Sequence, residues 1–346
     1  MTEVKTVGLD LAKNVFQAHG ADGTGETIFN KKLRRAEVDE FFEKLPPCIV
    51  GMEACGSAHH WARVIKAHGH DVRILPAQYV KPFVARGKTD AADAAAINLA
   101  LTRRDVRPVQ VKTAEEQAAM MIIRARALFI RQRTSAILAL RGHMAEFGLV
   151  AETGLPSFNK LVAAIPAHDD ARIPAVARLV FDDIIAEIKS LTTRINRINE
   201  EIESRAKADD DIRRLIAIPG VGMMVASTIK ARIPDPLKFK SGRHFAAWLG
   251  LTPKIDSSGG KVRSGRISKM GNTEIRSLLF MGALSVVSAA RKNGTASTWL
   301  RKLIDRRPLK VVAVAFANKL ARTIWALLAK GGSYRPVISM SVASTL

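Results

Sequence analysis

The amino-acid sequence predicts an α/β domain at the N-terminus, then a long helical and coiled-coil segment, then a mainly α-helical C-terminal domain with a helix-hairpin-helix. Three observations predict this order. Short β-type runs alternate with helical runs over residues 4–75, a long arginine-rich helical run covers 113–146, and an apolar run ends in Pro219-Gly-Val-Gly222. The predicted domains are residues 1–110, 111–208 and 209–346.

Composition narrows the class of protein. The chain has 346 residues, of which 47% are hydrophobic, so a globular protein with more than one core is expected. Its formal net charge of +22 indicates a polyanionic partner, either nucleic acid or a membrane surface. We find no signal peptide, no lipid-anchor motif and no apolar run long enough to span a bilayer, and we expect a cytoplasmic protein. Cys48 and Cys55 are predicted to be free, buried thiols.

The first elements are predicted to be three strands, at Val4–Leu9, Asn14–Ala18 and Glu26–Asn30, with a turn at Asp22-Gly23. A short helix over Glu37–Lys44 follows and ends before Pro46-Pro47. These elements form the first part of the predicted α/β layout.

Further strands extend this sheet. The pattern predicts a buried strand over Cys48–Met52, a helix over Ala58–Ala67 and a strand over Asp71–Leu75. A basic, glycine-containing stretch, Arg86-Gly-Lys88, leads into a helix that begins near Asp90. This order of elements favours a mixed α/β sheet.

Four acidic residues stand at the ends of these elements. Asp10 and Glu53 end predicted strands, and Asp90 and Asp93 lie one turn apart on the following helix, for which Thr89 is a suitable N-cap. One Asp-x-x-Asp pair is usually only a capped helix start. Four carboxylates at one edge of a sheet would repel one another unless they held divalent metal, and two ions there could clamp a phosphodiester.

The helical segment carries two patterns. Its arginines could form a solvated face or a face that binds phosphate, and we favour nucleic-acid contact at Arg124, Arg126, Arg131 and Arg133. A heptad seam could pair with the 113–146 helix or with a second copy, and its members are Ile184, Ile188, Leu191, Ile195, Ile198 and Ile202. The proline-rich stretch Gly154–Pro174 is predicted to be a linker.

The C-terminal domain offers two candidate contacts with nucleic acid. Gly220 and Gly222 permit a tight turn whose N–H groups could face a phosphate, although such a turn also serves as a plain connection between helices. A serine-glycine loop, Ser257-Ser-Gly-Gly-Lys261, is followed by basic residues that could bind phosphate: Lys261, Arg263, Arg266 and Lys269. On spacing alone this loop is an ordinary turn with a basic rim, and no histidine follows in it to act as a base.

These motifs resemble those of the DEDD-type insertion-sequence transposases. The N-terminal motifs are Gly8-Leu-Asp10, Gly51-Met-Glu53 and Lys88-Thr-Asp-Ala-Ala-Asp93. The C-terminal motifs are Ile218-Pro-Gly-Val-Gly222, Ala247-Trp-Leu-Gly-Leu-Thr-Pro253, the Ser257–Lys261 loop and Arg266-Ile-Ser-Lys-Met-Gly271. The resemblance covers nearly the whole chain, with the motifs in the family's order.

The resemblance implies a RuvC-like N-terminal domain with an RNase H fold, in which Asp10, Glu53, Asp90 and Asp93 hold Mg²⁺. It implies a serine nucleophile that becomes covalently joined to DNA, which we place at Ser258 with Ser257 as the alternative. It further implies a homo-oligomer, dimeric or tetrameric, with a composite site, and in some members a guide, the bridge RNA, that pairs with donor and target DNA.

We weigh two alternatives to this DNA recombinase. One is a metal-dependent, structure-specific nuclease, such as a junction resolvase, that uses water and in which Ser258 is only structural. The other is a protein that binds nucleic acid without catalysis, in which the acids are structural. The four acids argue against the second.

Overall fold

The computed structural model of the protein describes residues 3–84, 89–164, 173–258, 261–294 and 296–335. The basic stretch Arg86-Gly-Lys88 and the pair Gly259-Gly260 lie outside the described residues, as do the side chains of Asp256, Ser258 and Lys261. The chain divides into two compact units, Met1–Ala118 and Ala119–Leu346. The division into three predicted domains stays a prediction.

The N-terminal unit is a mixed α/β domain built on a five-stranded sheet. The strand order is β3-β2-β1-β4-β5, in which β1, β4 and β5 are parallel and β2 is antiparallel to both of its neighbours. This arrangement is compatible with the predicted RuvC-like fold. Its strands are β1 (Thr6–Asp10), β2 (Val15–Ala21), β3 (Thr27–Arg34), β4 (Ile49–Glu53) and β5 (Asp71–Leu75).

Four helices accompany the sheet: α1 (Val38–Lys44), α2 (Ala58–Ala67), α3 (Ala77–Val80) and α4 (Asp90–Leu101). The predicted turn at Asp22-Gly23 is present, because the Asp22 carboxylate accepts hydrogen bonds from the backbone N–H groups of Thr24 and Glu26. β3 runs four residues beyond its predicted end at Asn30. The prediction for the thiols is right for Cys48, which is buried, and wrong for Cys55, which is exposed.

Two long helices begin the second unit. α5 (Ala114–Ala145) crosses the boundary at Ala118, and α7 (Ala175–Ala208) lies antiparallel to its later part. Arg126 Nε donates to Asn199 Oδ1 at 2.6 Å, and Arg133 donates to the Thr192 hydroxyl at 3.4 Å. Ile184 and Ile188 of the heptad seam also share a hydrophobic cluster with Leu140 and Met144 of α5, so α5 lies beside that part of the seam. The coiled coil over the whole seam stays a prediction.

The predicted linker over Gly154–Pro174 is wrong in its first part. The structure has helix α6 (Leu155–Ala164) there. Pro156 does not break it, because proline is tolerated in the first turn of a helix, where the missing N–H has no partner in any case. Residues 165–172 lie outside the described part of the chain.

Among the described residues after Asp209, the regular structure of the second unit is helical apart from one hairpin. The helices are α8 (Asp210–Ile216), α9 (Met223–Arg232), α10 (Gly242–Trp248), α11 (Thr273–Asn293), α12 (Thr298–Ile304) and α13 (Leu309–Lys330). The predicted serine-glycine loop is instead the end of an antiparallel hairpin, β6 (Pro253–Ser258) and β7 (Lys261–Ile267). A Gly-Gly pair between two short runs is a hairpin signal, but polar residues predominate in both runs, and this hid the strands from the sequence pattern.

We predicted that no apolar run is long enough to cross a membrane. This prediction is wrong, because two helices are long and apolar enough by length and composition alone. Helices α11 and α13 both pass that test. The two helices pack against each other and contribute Leu279, Ala283, Leu320 and Ile324 to the buried core of the second unit. We therefore interpret both as core helices, and such helices commonly pass this test.

Candidate functional site

The four predicted acids lie at the carboxyl end of the parallel strands. β1 and β4 are adjacent, so Asp10 and Glu53 end neighbouring strands. α4 begins at Asp90, and its first turn also carries Asp93. Thr89 caps this helix as predicted, since its hydroxyl accepts a hydrogen bond from the Ala92 N–H at 3.2 Å.

Asp10 is subject to the charges of the other three acids. Burial of Asp10 and the negative charges of Asp93, Asp90 and Glu53 raise the pKa of the Asp10 carboxyl to about 6. A hydrogen bond from the Leu11 backbone opposes this rise only in part. The pKa of Asp10 therefore reports that all three other carboxylates lie within electrostatic reach of it.

The donor set fits a divalent cation, although it is not a closed cage. Carboxylate oxygens are the ligands that Mg²⁺ prefers, and the repulsion seen at Asp10 is the kind that a bound cation relieves. Within the described ranges, no three acidic, histidine or cysteine side chains stand close enough to hold an ion as they are placed. Charges act over longer distances than metal–ligand bonds, so the two observations are compatible: the other acids are within electrostatic reach of Asp10 but do not form a closed ligand set with it.

Two residues that the sequence analysis missed fix α4 against the sheet. Gly8 lies beneath the helix, and Asn98, on α4, is buried. The Asn98 side chain donates to the carbonyl oxygens of Thr6 and His19 at 3.3 and 2.8 Å, and its own oxygen accepts from the Thr6 hydroxyl at 2.8 Å. The signals in the sequence are a glycine inside a strand and an amide inside an apolar helix, both of which mark close approach or a buried polar contact.

The predicted arginine face of α5 divides into two. Arg124 and Arg131 are exposed. Arg126 and Arg133 are half-buried and hydrogen-bonded to α7, and burial lowers the pKa of Arg126. The first pair is available to a ligand, whereas the second pair holds the two helices together.

The two glycines of the predicted hairpin turn have different surroundings. Gly220 has φ +87°, and a Cβ atom there would lie 2.9 Å from the backbone oxygen of Gly282 on α11. Gly222 caps α9 and has open space around its Cβ position. Gly220 is thus needed for packing, whereas Gly222 leaves the start of α9 accessible.

The base of the β6–β7 hairpin is fixed by two interlocking turns. Gly250, at φ +69°, would clash with the backbone of Met270 if it had a side chain, and Gly271, at φ +80°, would bring a Cβ atom 1.8 Å from the Trp248 oxygen. Arg276 closes the contact by donating to the Leu249 and Met270 carbonyl oxygens at 2.9 and 3.1 Å.

Further along the hairpin, the predicted phosphate-binding residues Arg263, Arg266 and Lys269 are exposed. Lys269 has φ +55°, a strained conformation for a residue with a side chain. Ser257 is exposed and pairs with Val262, and the backbone of Ser258 pairs with Lys261.

Comparison with known proteins agrees with this geometry. Residues 7–148 match a family model described as a transposase, of the DEDD IS110 type, and residues 212–298 match one described as the IS116/IS110/IS902 transposase family. The chain belongs to the IS116/IS110/IS902 family of transposases. Both matched regions contain predicted site residues.

Three relatives of this IS110-type chain span nearly its whole length. A Pseudomonas aeruginosa protein named "Probable family 20 transposase" is 45% identical over 95% of this chain and 98% of its own. The transposase for insertion sequence element IS1111A of Coxiella burnetii is 35% identical, over 97% and 92%. The transposase for element IS1328 of Yersinia enterocolitica is 32% identical, over 96% and 98%.

Membership in the family makes this chain a DNA transposase, and it therefore binds DNA. The alternative of a binding protein without catalysis is set aside. The DEDD domain also implies a divalent metal, which the acidic edge of the sheet fits.

Proposed function

We propose that the protein cuts and rejoins the DNA of an insertion sequence through a composite site. Asp10, Glu53, Asp90 and Asp93 would hold Mg²⁺, and Ser258 would be the nucleophile. The observation that supports this most is the placement of the acids: Asp10 and Glu53 end adjacent parallel strands, and Asp90 and Asp93 lie in the first turn of α4, within electrostatic reach of Asp10.

In this proposal the acids form two pairs that come from different elements of the fold. Asp10 and Glu53 are fixed by adjacent strands, so they provide the rigid half of the ligand set. Asp90 and Asp93 come from the first turn of α4 and complete it. A bound Mg²⁺ would stabilise the charge that develops on the phosphodiester and lower the pKa of the attacking hydroxyl.

The serine step exchanges one ester for another. The Ser258 Oγ forms a bond to phosphorus, the bond from phosphorus to one DNA oxygen breaks, and that oxygen leaves as a strand-terminal hydroxyl after it takes a proton. Attack by the hydroxyl of a second DNA end reverses these events, releases the serine and joins the new strands. No net loss of phosphodiester bonds occurs, which suits rejoining better than hydrolysis does.

The basic residues of the hairpin support the binding of a polyanion beside the serines. Arg263, Arg266 and Lys269 are exposed along the hairpin that carries Ser257 and Ser258, and they would hold the DNA backbone. The net charge of +22 exceeds what one short contact needs, and we include a guide RNA, the bridge RNA, and a homo-oligomer in the proposal.

The test is a search for a covalent protein–DNA adduct on denaturing gels with end-labelled DNA and Mg²⁺. Wild type should form it, Ser258→Ala should not, and Ser257→Ala should form less. An adduct that persists in Ser258→Ala but vanishes in Ser257→Ala moves the nucleophile by one residue. Cleavage by wild type without any adduct, also on suicide substrates, would establish the water-using nuclease instead.

A mixture of variants tests whether the site is composite. Asp10→Asn lacks one acid and Ser258→Ala lacks the serine, so each is expected to be inactive alone. If one subunit supplies the acids and another the serine, mixed oligomers regain part of the activity. A mixture that stays as inactive as its parts rejects the sharing of sites between subunits.

A further inference from the structure

An exposed tryptophan lies at the base of the β6–β7 hairpin, which carries Ser257 and Ser258 and is called the serine hairpin below. The side chain of Trp248, the last residue of α10, is 40% exposed. Large aromatic side chains that remain exposed and rigid commonly mark a binding surface. The roles proposed for the four acids and for Ser258 do not depend on Trp248.

Packing holds this ring in one orientation. The buried Phe245 ring lies nearly parallel to it, at 16° and a centroid distance of 6.2 Å, and Phe239 lies 5.4 Å away at 60°. The Trp248 backbone oxygen is also fixed by the close approach of Gly271. Because the indole is already ordered, a ligand that stacks on it loses little side-chain entropy on binding.

The stretch of chain on either side of Trp248 is basic. From residue 236 to residue 273 the chain has a single acid, Asp256, and eight basic side chains: Lys238, Lys240, Lys254, Lys261, Lys269, Arg243, Arg263 and Arg266. Lys269 and the 63% exposed Met270 belong to the turn that packs against Trp248. An exposed aromatic ring that is packed against the core, within a basic stretch of chain, is the combination that binds single-stranded nucleic acid through base stacking and phosphate contacts.

We propose that Trp248 is a stacking platform for an unpaired base of a DNA strand. The established activity of the family is on DNA, which favours DNA over RNA as the occupant. β6 has six residues, and the five steps from Pro253 to Ser258 cover about 17 Å at the rise of an extended strand. The platform therefore holds DNA that flanks the bond to be cut, and it acts in binding rather than in the chemical step.

A second exposed tryptophan provides a matched control. Trp299 is 43% exposed, but the Lys319 ammonium lies 4.6 Å from its ring centroid. Its ring is thus already in contact with a cation. Substitution of Trp299 removes an equally exposed indole without removing the proposed platform.

Fluorescence titration of the full chain with short oligothymidylate, without Mg²⁺, tests the proposal. The wild type should show quenching, Trp299→Phe should retain it, and Trp248→Phe should lose it while keeping most of the affinity, because phenylalanine still stacks. Trp248→Ala should weaken binding by about tenfold or more, with a much smaller effect on duplex DNA. The Phe variant and the wild-type quenching keep the test decisive even if Trp248→Ala folds poorly.

Three results would overturn the proposal. Quenching that survives in Trp248→Phe places the stacking elsewhere. Stronger, Trp248-dependent binding of oligouridylate than of oligothymidylate assigns the platform to RNA. Loss of self-association in Trp248→Ala, with DNA affinity unchanged, assigns the surface to a second copy of the chain.

Discussion

A Cβ atom placed on Gly8 of β1 would lie 2.1 Å from the carbonyl oxygen of Ala94 on α4. The helix therefore lies directly on the strand, and this contact lies two residues before Asp10 and one residue after Asp93. The distance between the two halves of the acidic site depends on that contact.

Gly8→Ala tests this dependence. The new methyl group must push α4 away from β1, and we expect a loss of about 1–3 kcal/mol in the free energy of unfolding, measured in urea, together with loss of DNA cleavage. Gly56→Ala is the matched control, since nothing lies within 4 Å of its Cβ position. Cleavage by Gly8→Ala at the wild-type rate would show that the chemistry does not depend on this packing.

The raised pKa of Asp10 predicts a pH dependence of stability without metal. The folded state holds the Asp10 proton more tightly than the unfolded state does, so stability falls as pH rises from about 4 through about 6. Above that range Asp10→Asn should be more stable than wild type by on the order of 1 kcal/mol, a figure reduced for solvent screening because the carboxyl is half exposed. Thermal unfolding in a chelator, at pH 4 and pH 7.5, measures both effects.

Magnesium should reverse the order of these two proteins. Binding to the folded state alone stabilises it by mass action, and Asp10→Asn lacks one ligand charge. We expect Mg²⁺ to raise the melting temperature of wild type at pH 7.5 and to raise that of Asp10→Asn far less. An equal rise in both would exclude Asp10 from the metal site.

The exposed pair and the half-buried pair of arginines on α5 should give different phenotypes when they are substituted. Arg124→Ala with Arg131→Ala should lower the slope of log K against log salt by up to about two, because each phosphate contact contributes about 0.9. Arg126→Ala with Arg133→Ala should chiefly lower stability, since these side chains hold α7. Salt titration of DNA binding and urea unfolding separate the two pairs. The reverse pattern would mean that the buried pair, not the exposed pair, contacts nucleic acid.

The interlocked turns beneath the hairpin predict a further loss. Gly271→Ala would place a Cβ atom 1.8 Å from the Trp248 oxygen at φ +80°, so the turn must open. We expect lower stability of the second unit and no strand joining, while Mg²⁺ still raises the melting temperature of the first unit. Gly265→Ala, on β7, meets its nearest atom at an ordinary 3.6 Å and should behave as wild type.

Local patterns were sufficient to predict much of the first unit. The alternation of strands and helices predicted the α/β sheet, and Thr89 was correctly predicted to cap α4. The contribution of Asn98 could not be predicted, because its partners Thr6 and His19 are 92 and 79 residues away along the chain.

In the second unit, the sequence-based predictions that were wrong or incomplete have two causes. The serine hairpin has few apolar residues to mark its strands, and Pro156 imitates a helix breaker although it stands in a first turn. Arg124 and Arg126 differ by two positions, which on a helix means nearly opposite faces. Only the position of α7 decides which of them is buried.

The antiparallel pair of α5 and α7 also forms an arm whose length is set by the number of residues in the two helices. It leaves the C-terminal core near Ile123 and returns to it near Ala206, and its far end has a small core of its own around Leu140, Met144 and Phe181. From Ile123 to Met144 the helix covers about 30 Å. Removal of one heptad from each helix at facing positions would preserve the side-chain register while shortening the arm by about 10 Å. The reach of this arm can therefore change during evolution independently of the acids, the serine and both principal cores.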